Sequence, residues 1–230
     1  MAAIYKIGSP KSEMVAKIQR VLHLIPDGIY GQLTREAVTA WQKENGLTAD
    51  GIVGAATLAK MFPDVAKDSL GLKMSKRTIT DIVVHCTASK ENVKMTVDQI
   101  RALHMKPESK GGRGWSDIGY HYVVLLDGTI EPGRDIDKIG AHVSGYNSHS
   151  IGVVYVGGLD KDGKPKDTRN ELQKNALRNL LIKLKELYPK AKISGHRDFS
   201  PDKNNNGIIE PHEWIKSCPC FDAKKEYAKL

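Results

Sequence analysis

No stretch of this 230-residue chain approaches the roughly 18 to 20 consecutive apolar residues that a membrane-spanning helix needs. Residues 1–14 also lack the apolar core and small-residue cleavage site of a secretory signal. The chain is therefore expected to be made in a cytoplasm, with release depending on something else. Cysteine is scarce: Cys86, Cys218 and Cys220 are too few and too unevenly placed for a disulfide framework. Cys218 and Cys220 flank one proline, a poorer geometry for a mutual disulfide than for metal ligation. There is no basic stripe either. The 35 Lys and Arg outnumber 27 Asp and Glu for a net charge of +8, but they are scattered. An acidic surface or polymer is thus a better expected partner than nucleic acid.

What is present suits a globular protein of one or two domains, with 40% hydrophobic and 27% charged residues. An internal repeat opens it. Asp27-Gly-Ile-Tyr-Gly31-x-x-Thr34 recurs as Asp50-Gly-Ile-Val-Gly54-x-x-Thr57, each a glycine-rich turn leading into a helix. Val15, Ile18, Val21 and Leu22, then Ala37, Val38 and Trp41, have helical spacing. Residues 1–62 are read as a small all-α, three-helix domain, 63–77 as a linker, and 78–230 as a second domain.

In that domain strand and helix signals alternate. A strand over Thr78 to Val84 is expected to end on His85, and Thr96-Val-Asp-Gln99 is a capping box opening a helix. A strand over Tyr120 to Leu126 turns at Asp127-Gly128 into a hairpin. Ser150 to Val156 forms another strand, and Thr168-Arg-Asn-Glu171 a second capping box. A helix then presents Leu172, Ala176, Leu180, Leu184 and Leu187, and the strand Ala191 to Ser194 delivers His196. The expected class is α/β, a mixed central sheet flanked by helices.

The chemistry concentrates between Ser194 and Asp222. His85 and His196 follow strand ends and Cys218 offers a thiolate; two imidazoles and a thiolate with one open position are a catalytic zinc set. Between them, Asp202 to Glu213 fits the calcium-loop pattern at every specified position. Asp202, Asn204 and Asn206 would give side-chain oxygens, Ile208 its carbonyl, Glu210 a contact through water, and Glu213 both oxygens. Calcium is expected to order this loop and so position Lys216 and Cys218. Cys86 should be a buried thiol, Cys220 a spare thiol or minor metal competitor, and His23, His104 and His149 surface or structural residues.

Two resemblances join these pieces. The doubled DG motif resembles the peptidoglycan-binding domain of cell-wall hydrolases. Val-Val-His85-Cys-Thr-Ala, Gly119-Tyr120-His-Tyr, Gly140-Ala-His142-x-x-Gly145-Tyr-Asn and Lys216-x-Cys218-Pro-x-Phe-Asp222 resemble the type-2 N-acetylmuramoyl-L-alanine amidases, phage amidases above all. Peptidoglycan recognition proteins share their fold. The resemblance implies His85, His196 and Cys218 as zinc ligands, Tyr120 and Lys216 as catalytic helpers, and His142 as a substrate contact in the cleft. It further implies a monomeric phage endolysin acting on peptidoglycan at the wall, its positive charge suiting an anionic outer-membrane surface. The rivals are a non-catalytic recognition protein, which usually lacks the cysteine, and a bacterial autolysin.

Overall fold

The computed structural model describes residues 4–62 and 72–230, and the chain divides into two units, Met1–Ser69 and Leu70–Leu230. Of the expected linker, residues 63–71 lie outside the described residues. Residues 72–77 are tied to the second unit: the Ser75 amide donates to the Tyr188 hydroxyl (2.6 Å) and Arg77 Nε to the Ile136 carbonyl (3.0 Å).

The first unit holds three helices, α1 (Glu13–Val21), α2 (Gln32–Glu44) and α3 (Ala55–Met61). Val15, Ile18, Val38 and Val53 are fully buried at its centre, with Val21, Leu22 and Trp41 packed around them. The sequence repeat has a structural cause. Gln19 Oε1 accepts from the Gly28 amide (2.9 Å), and its Nε2 donates to Asp27 Oδ1, the Ile29 carbonyl and Thr34 Oγ1. Gln42 repeats every bond one motif later, with Gly51, Asp50, Ile52 and Thr57. Each buried amide clamps one DG turn, whose glycine (φ +76° at Gly28, +67° at Gly51) takes the left-handed backbone. Thr34 and Thr57 are thus clamp partners inside their helices, while Gly31 and Gly54 hold the cap positions. Gln42→Leu strands these groups in a buried site and is expected to cost about 3 kcal/mol. A calorimetric transition for the first unit should fall while that of the second stays put; coincident, unshifted transitions would contradict the clamp.

The second unit is α/β. Its five-stranded sheet runs β4 (Ile130–Pro132), β3 (Tyr122–Val124), β5 (Ser150–Tyr155), β1 (Asp81–Cys86), β7 (Lys192–Gly195). Only the β3–β4 hairpin is antiparallel, closed at Asp127-Gly128 by Leu125 and Thr129. A short parallel pair, β2 (Ser89–Lys90) with β6 (Gly158–Leu159), stands apart. Helix α5 (Glu171–Leu187) covers one face, burying Leu177, Leu180, Leu181 and Leu184 against Ile82, Val84, Tyr122, Val124 and Tyr155. Helix α4 (Val97–Met105) belongs to the other face, where Val97 and Ile100 meet Ile118, Val123 and Val154. A sheet covered on both faces buries every residue of β3 and β5, which is why period-two alternation is not seen there.

Several boundaries differ from the sequence reading, three of them where it matters to the site or its supporting helix. β1 extends through Cys86, so His85 sits inside the strand; its ladder with β5 continues to Cys86 opposite Tyr155. Regular pairing in β3 begins at Tyr122, leaving Tyr120 and His121 before the strand. The cap of α5 is Asn170, in a capping box with Gln173, because Thr168 is occupied elsewhere: its Oγ1 accepts from the Gly158 amide at 2.7 Å. The Thr96–Gln99 box of α4 forms as expected.

Candidate active site

Parallel pairing brings two of the expected residues together. β1 lies beside β7 with Val84 opposite Gly195, so His85 on β1 and His196, the first residue after β7, emerge side by side. Their Nδ1 atoms are 3.2 Å apart. The third member arrives from far along the chain: the Arg197 amide donates to the Cys218 carbonyl (2.8 Å), and Cys218 Sγ stands 3.7 Å from His85 Nδ1. One ring nitrogen from each histidine and Sγ of Cys218 all lie within 4.8 Å of one another, a set able to hold a metal ion.

Electrostatics keep the imidazoles in the form a metal requires. Burial, then the neighbouring His142 and His196 rings and the Lys216 charge, hold His85 well below the usual histidine range. Burial and the Lys216 ammonium depress His196 to about 4. Lys216 itself is exposed. Hydrogen bonding with the Cys218 sulfur pushes the Cys86 thiol up to about 12, and contact with Cys86 together with burial raises Cys220 further. Both stay protonated at neutral pH. That leaves Cys218 as the sulfur facing the two histidines, with Cys86 in the core and Cys220 Sγ 3.8 Å from it, donating to the Gly158 carbonyl.

Tyr120 is half-buried, its ring centroid 5.1 Å from that of His85 and 5.4 Å from that of His104. Burial raises its hydroxyl far above the usual phenol range, so it remains a proton-bearing group. His142 lies behind His85 rather than on its Nδ1 side: the ring is 7% exposed and its Nδ1 is 3.1 Å from His85 Nε2.

The Asp202–Glu213 segment closes on its own carboxylates. Asp202 accepts from the Asn206 and Gly207 amides, and the Asn204 and Asn206 side-chain amides reach Glu210 Oε2. Glu213 is fully buried, with Oε1 accepting from Lys203 and Asn204 and Oε2 from Glu210. These backbone N–H donors hold its carboxyl below the usual range. Ile208 is exposed. The loop's end is tied to the His196 segment: the Arg197 guanidinium lies 4.2 Å from the Trp214 ring centroid, and the Ile215 amide donates to Ser200 Oγ. His212 groups with Glu210 and Glu213 as donor atoms. A cavity of about 710 Å³, lined by Arg197, Asp198, Ile208, Trp214, Asp222 and Lys225 among others, contains none of the histidine–cysteine cluster.

Two histidines that sequence reasoning passed over as structural or unremarked frame this site. His104 Nδ1 accepts from the Gly119 amide (3.0 Å), supporting the turn into Tyr120. His121 is 1% exposed; its Nδ1 accepts from Gly152, so its Nε2–H donates to the Lys138 carbonyl. Burial holds both at about 4. These folded values lie below the unfolded value near 6.5, so the unfolded chain takes up protons first. Stability is complete above about pH 6.5 and is lost as pH falls toward 4. His121 alone should remove about 2 kcal/mol between pH 7 and pH 5. Urea midpoints of the metal-free protein at those two pH values measure this, and equal midpoints would contradict it.

Comparison with known proteins identifies the family. A family model described as N-acetylmuramoyl-L-alanine amidase matches residues 75–213, and one for a peptidoglycan binding domain matches residues 12–61. An endolysin of Klebsiella phage KP32 is 40% identical over 159 residues, covering 69% of this chain and 92% of that one. The endolysin of Escherichia phage T7 is 36% identical over 159 residues, covering 69% and 92%. Among solved structures, the Ph2119 endolysin of the Thermus scotoductus bacteriophage is 26% identical with a TM-score of 0.46, covering 66% of this chain and 84% of that one. With more than half its length matched by the first model, the chain belongs to the N-acetylmuramoyl-L-alanine amidase family, and it carries a peptidoglycan-binding domain ahead of the amidase domain.

Proposed function

We propose that this amidase is a zinc enzyme of the endolysin kind, cutting the bond between N-acetylmuramic acid and L-alanine to lyse a phage host. The observation that carries the reading is the convergence of the His85, His196 and Cys218 side chains, with His85 Nδ1 3.2 Å from His196 Nδ1 and 3.7 Å from Cys218 Sγ. Two neutral imidazoles and a thiolate suit zinc and leave a position open. A zinc ion bound there supplies Lewis acidity toward water and the scissile carbonyl. The protein's own groups do the rest. Lys216, whose charge already reaches both histidines, places a cation where negative charge builds on the carbonyl oxygen. Tyr120, held as a phenol, donates a hydrogen bond to the reacting water or the departing amine rather than removing a proton. The first unit keeps the enzyme on peptidoglycan and raises its local concentration. The chain acts as a monomer, and its +8 charge favours contact with anionic wall or outer-membrane surfaces.

The Asp202–Glu213 loop is proposed to hold calcium. Glu210 already gathers the Asn204 and Asn206 side-chain amides, whose oxygens would turn inward to the ion. Two asparagines in place of aspartates lower the ligand charge and point to modest affinity. Through Trp214, Ile215 and Arg197 the loop then steadies Cys218 and Lys216. Elemental analysis should find one zinc and one calcium per chain. Selective calcium chelation, or Asp202→Ala, should lower both wall clearing and retained zinc; full activity and full zinc in both would refute the scaffold.

A further inference from the structure

We infer that His142 and Ser150 are positioning residues that fix which nitrogen of His85 carries the proton, leaving Nδ1 bare as a ligand atom. The inference rests on the metal reading above. The Tyr146 carbonyl can only accept, and Ser150 Oγ lies 2.7 Å from it, so the serine hydroxyl must donate there. With its proton spent, Ser150 Oγ can only accept from His142 Nε2, 3.3 Å away. A neutral His142 with Nε2 protonated has a lone pair on Nδ1. That lone pair faces His85 Nε2 at 3.1 Å, so His85 must donate from Nε2. Nδ1 of His85 is then unprotonated, and it is the atom that points at His196 Nδ1 and Cys218 Sγ.

The opposite assignment fails in a specific way. A proton on His142 Nδ1 would turn His85 Nε2 into an acceptor and put a proton on the nitrogen that faces the other ligands. It would also leave the His142 Nε2 lone pair against a serine oxygen whose proton is already committed. The surroundings hold the ring in place for this relay. A Cβ on Gly140 would come within 2.5 Å of the His142 ring and one on Gly152 within 2.6 Å, so both positions are kept bare. Asn147 Oδ1 accepts from the His142 and Val143 amides (2.8 and 2.9 Å), which fixes the backbone beneath the ring and in the turn that carries Tyr146. The Gly140–Ser150 segment is therefore one device, and its product is the correct tautomer of a ligand 55 or more residues away in sequence.

Two measurements test this on the full-length protein. In the metal-free wild type labelled with ¹⁵N-histidine, two-bond ¹H–¹⁵N spectra should show His85 protonated at Nε2 and bare at Nδ1; a protonated Nδ1 would overturn the relay. In Ser150→Ala and His142→Phe, zinc affinity read by competition with a chromophoric chelator should fall about 10- to 100-fold. Ser150→Ala should also show His85 as a mixture of tautomers. His142→Gln should recover much of the affinity, because its amide oxygen can accept from His85 while its NH₂ donates to Ser150. Wild-type affinity in both Ser150→Ala and His142→Phe would equally overturn the relay. If the wild type itself binds no zinc, it is the metal reading that fails, and the spectra still decide the tautomer.

Discussion

Cys218→Ala is expected to lower the rate of wall clearing by more than about 100-fold while binding to purified peptidoglycan stays at the wild-type level. Changes to the partners of metal ligands already cost about 10- to 100-fold, and this substitution removes a proposed ligand itself. Neither neighbouring sulfur can replace it. Cys86 is buried in the core and its thiol is pushed up to about 12, and Cys220 donates to the Gly158 carbonyl. Binding should survive because the peptidoglycan-binding domain forms a compact unit of its own, clamped by Gln19 and Gln42 rather than by anything near Cys218. The fold should survive too. The direct losses are a 3.3 Å contact from the Cys86 amide to Sγ and a small side-chain volume. A melting curve run beside the clearing assay separates lost chemistry from lost structure. Clearing at the wild-type rate would remove Cys218 from the metal set and revive the reading of a wall binder without catalysis.

Much of this was legible in the sequence because it depended on local signals. Thr96–Gln99, Asp127-Gly128 and the DG repeats each settle within a few residues, and each folds as expected. The gathering of His85, His196 and Cys218 was not local. His85 on β1 stands 111 residues before His196 and 133 before Cys218, and only the resemblance to known amidases brought the three together. What stayed hidden were polar residues whose partners lie across the fold. Gln19 and Gln42 belong to no motif singled out in the sequence, yet they are 3% and 1% exposed and organise the repeat. The 23-residue offset between them equals that between Asp27 and Asp50, a signal that could have found them. Thr168 looked like a cap because its spacing to Glu171 was right, but Gly158 claims its hydroxyl. His142 carried a family motif without any indication of which way its ring nitrogens faced. Geometry supplies that, and it places the ring against His85.

Arg169 is the largest expected liability of the amidase domain for stability, although no motif drew attention to it. Its side chain is 1% exposed, with NH2 2.8 Å from both Asp167 Oδ2 and Glu226 Oε2. Nε donates to Asp167 Oδ1 and NH1 to Glu226 Oε1 and the Tyr227 hydroxyl. The guanidinium carbon lies 3.2 Å from the Phe221 ring centroid. One planar fork thus joins the start of α5 to Phe221 and to α6 (Ala223–Glu226), the segment that follows Cys218. Arg169→Ala removes the stack and the forks together, and taking one partner out of a buried ion network costs about 3 to 5 kcal/mol. Asp167 and Glu226 keep some solvent access, 32% and 40%, and can rehydrate, which favours the lower end. At about 2 to 4 °C per kcal/mol for a unit of this size, the melting temperature should fall by about 6 to 12 °C. Arg169→Lys should recover little, because a single ammonium cannot serve two carboxylates in plane or stack on Phe221. Arg169→Met tells packing from pairing. A methionine refills the space over Phe221 without charge, so a variant as stable as wild type would mean that the forks add nothing beyond the volume they fill. The expected order is wild type, then Met, then Lys and Ala, with zinc retention on heating falling in the same order because Phe221 lies three residues beyond Cys218.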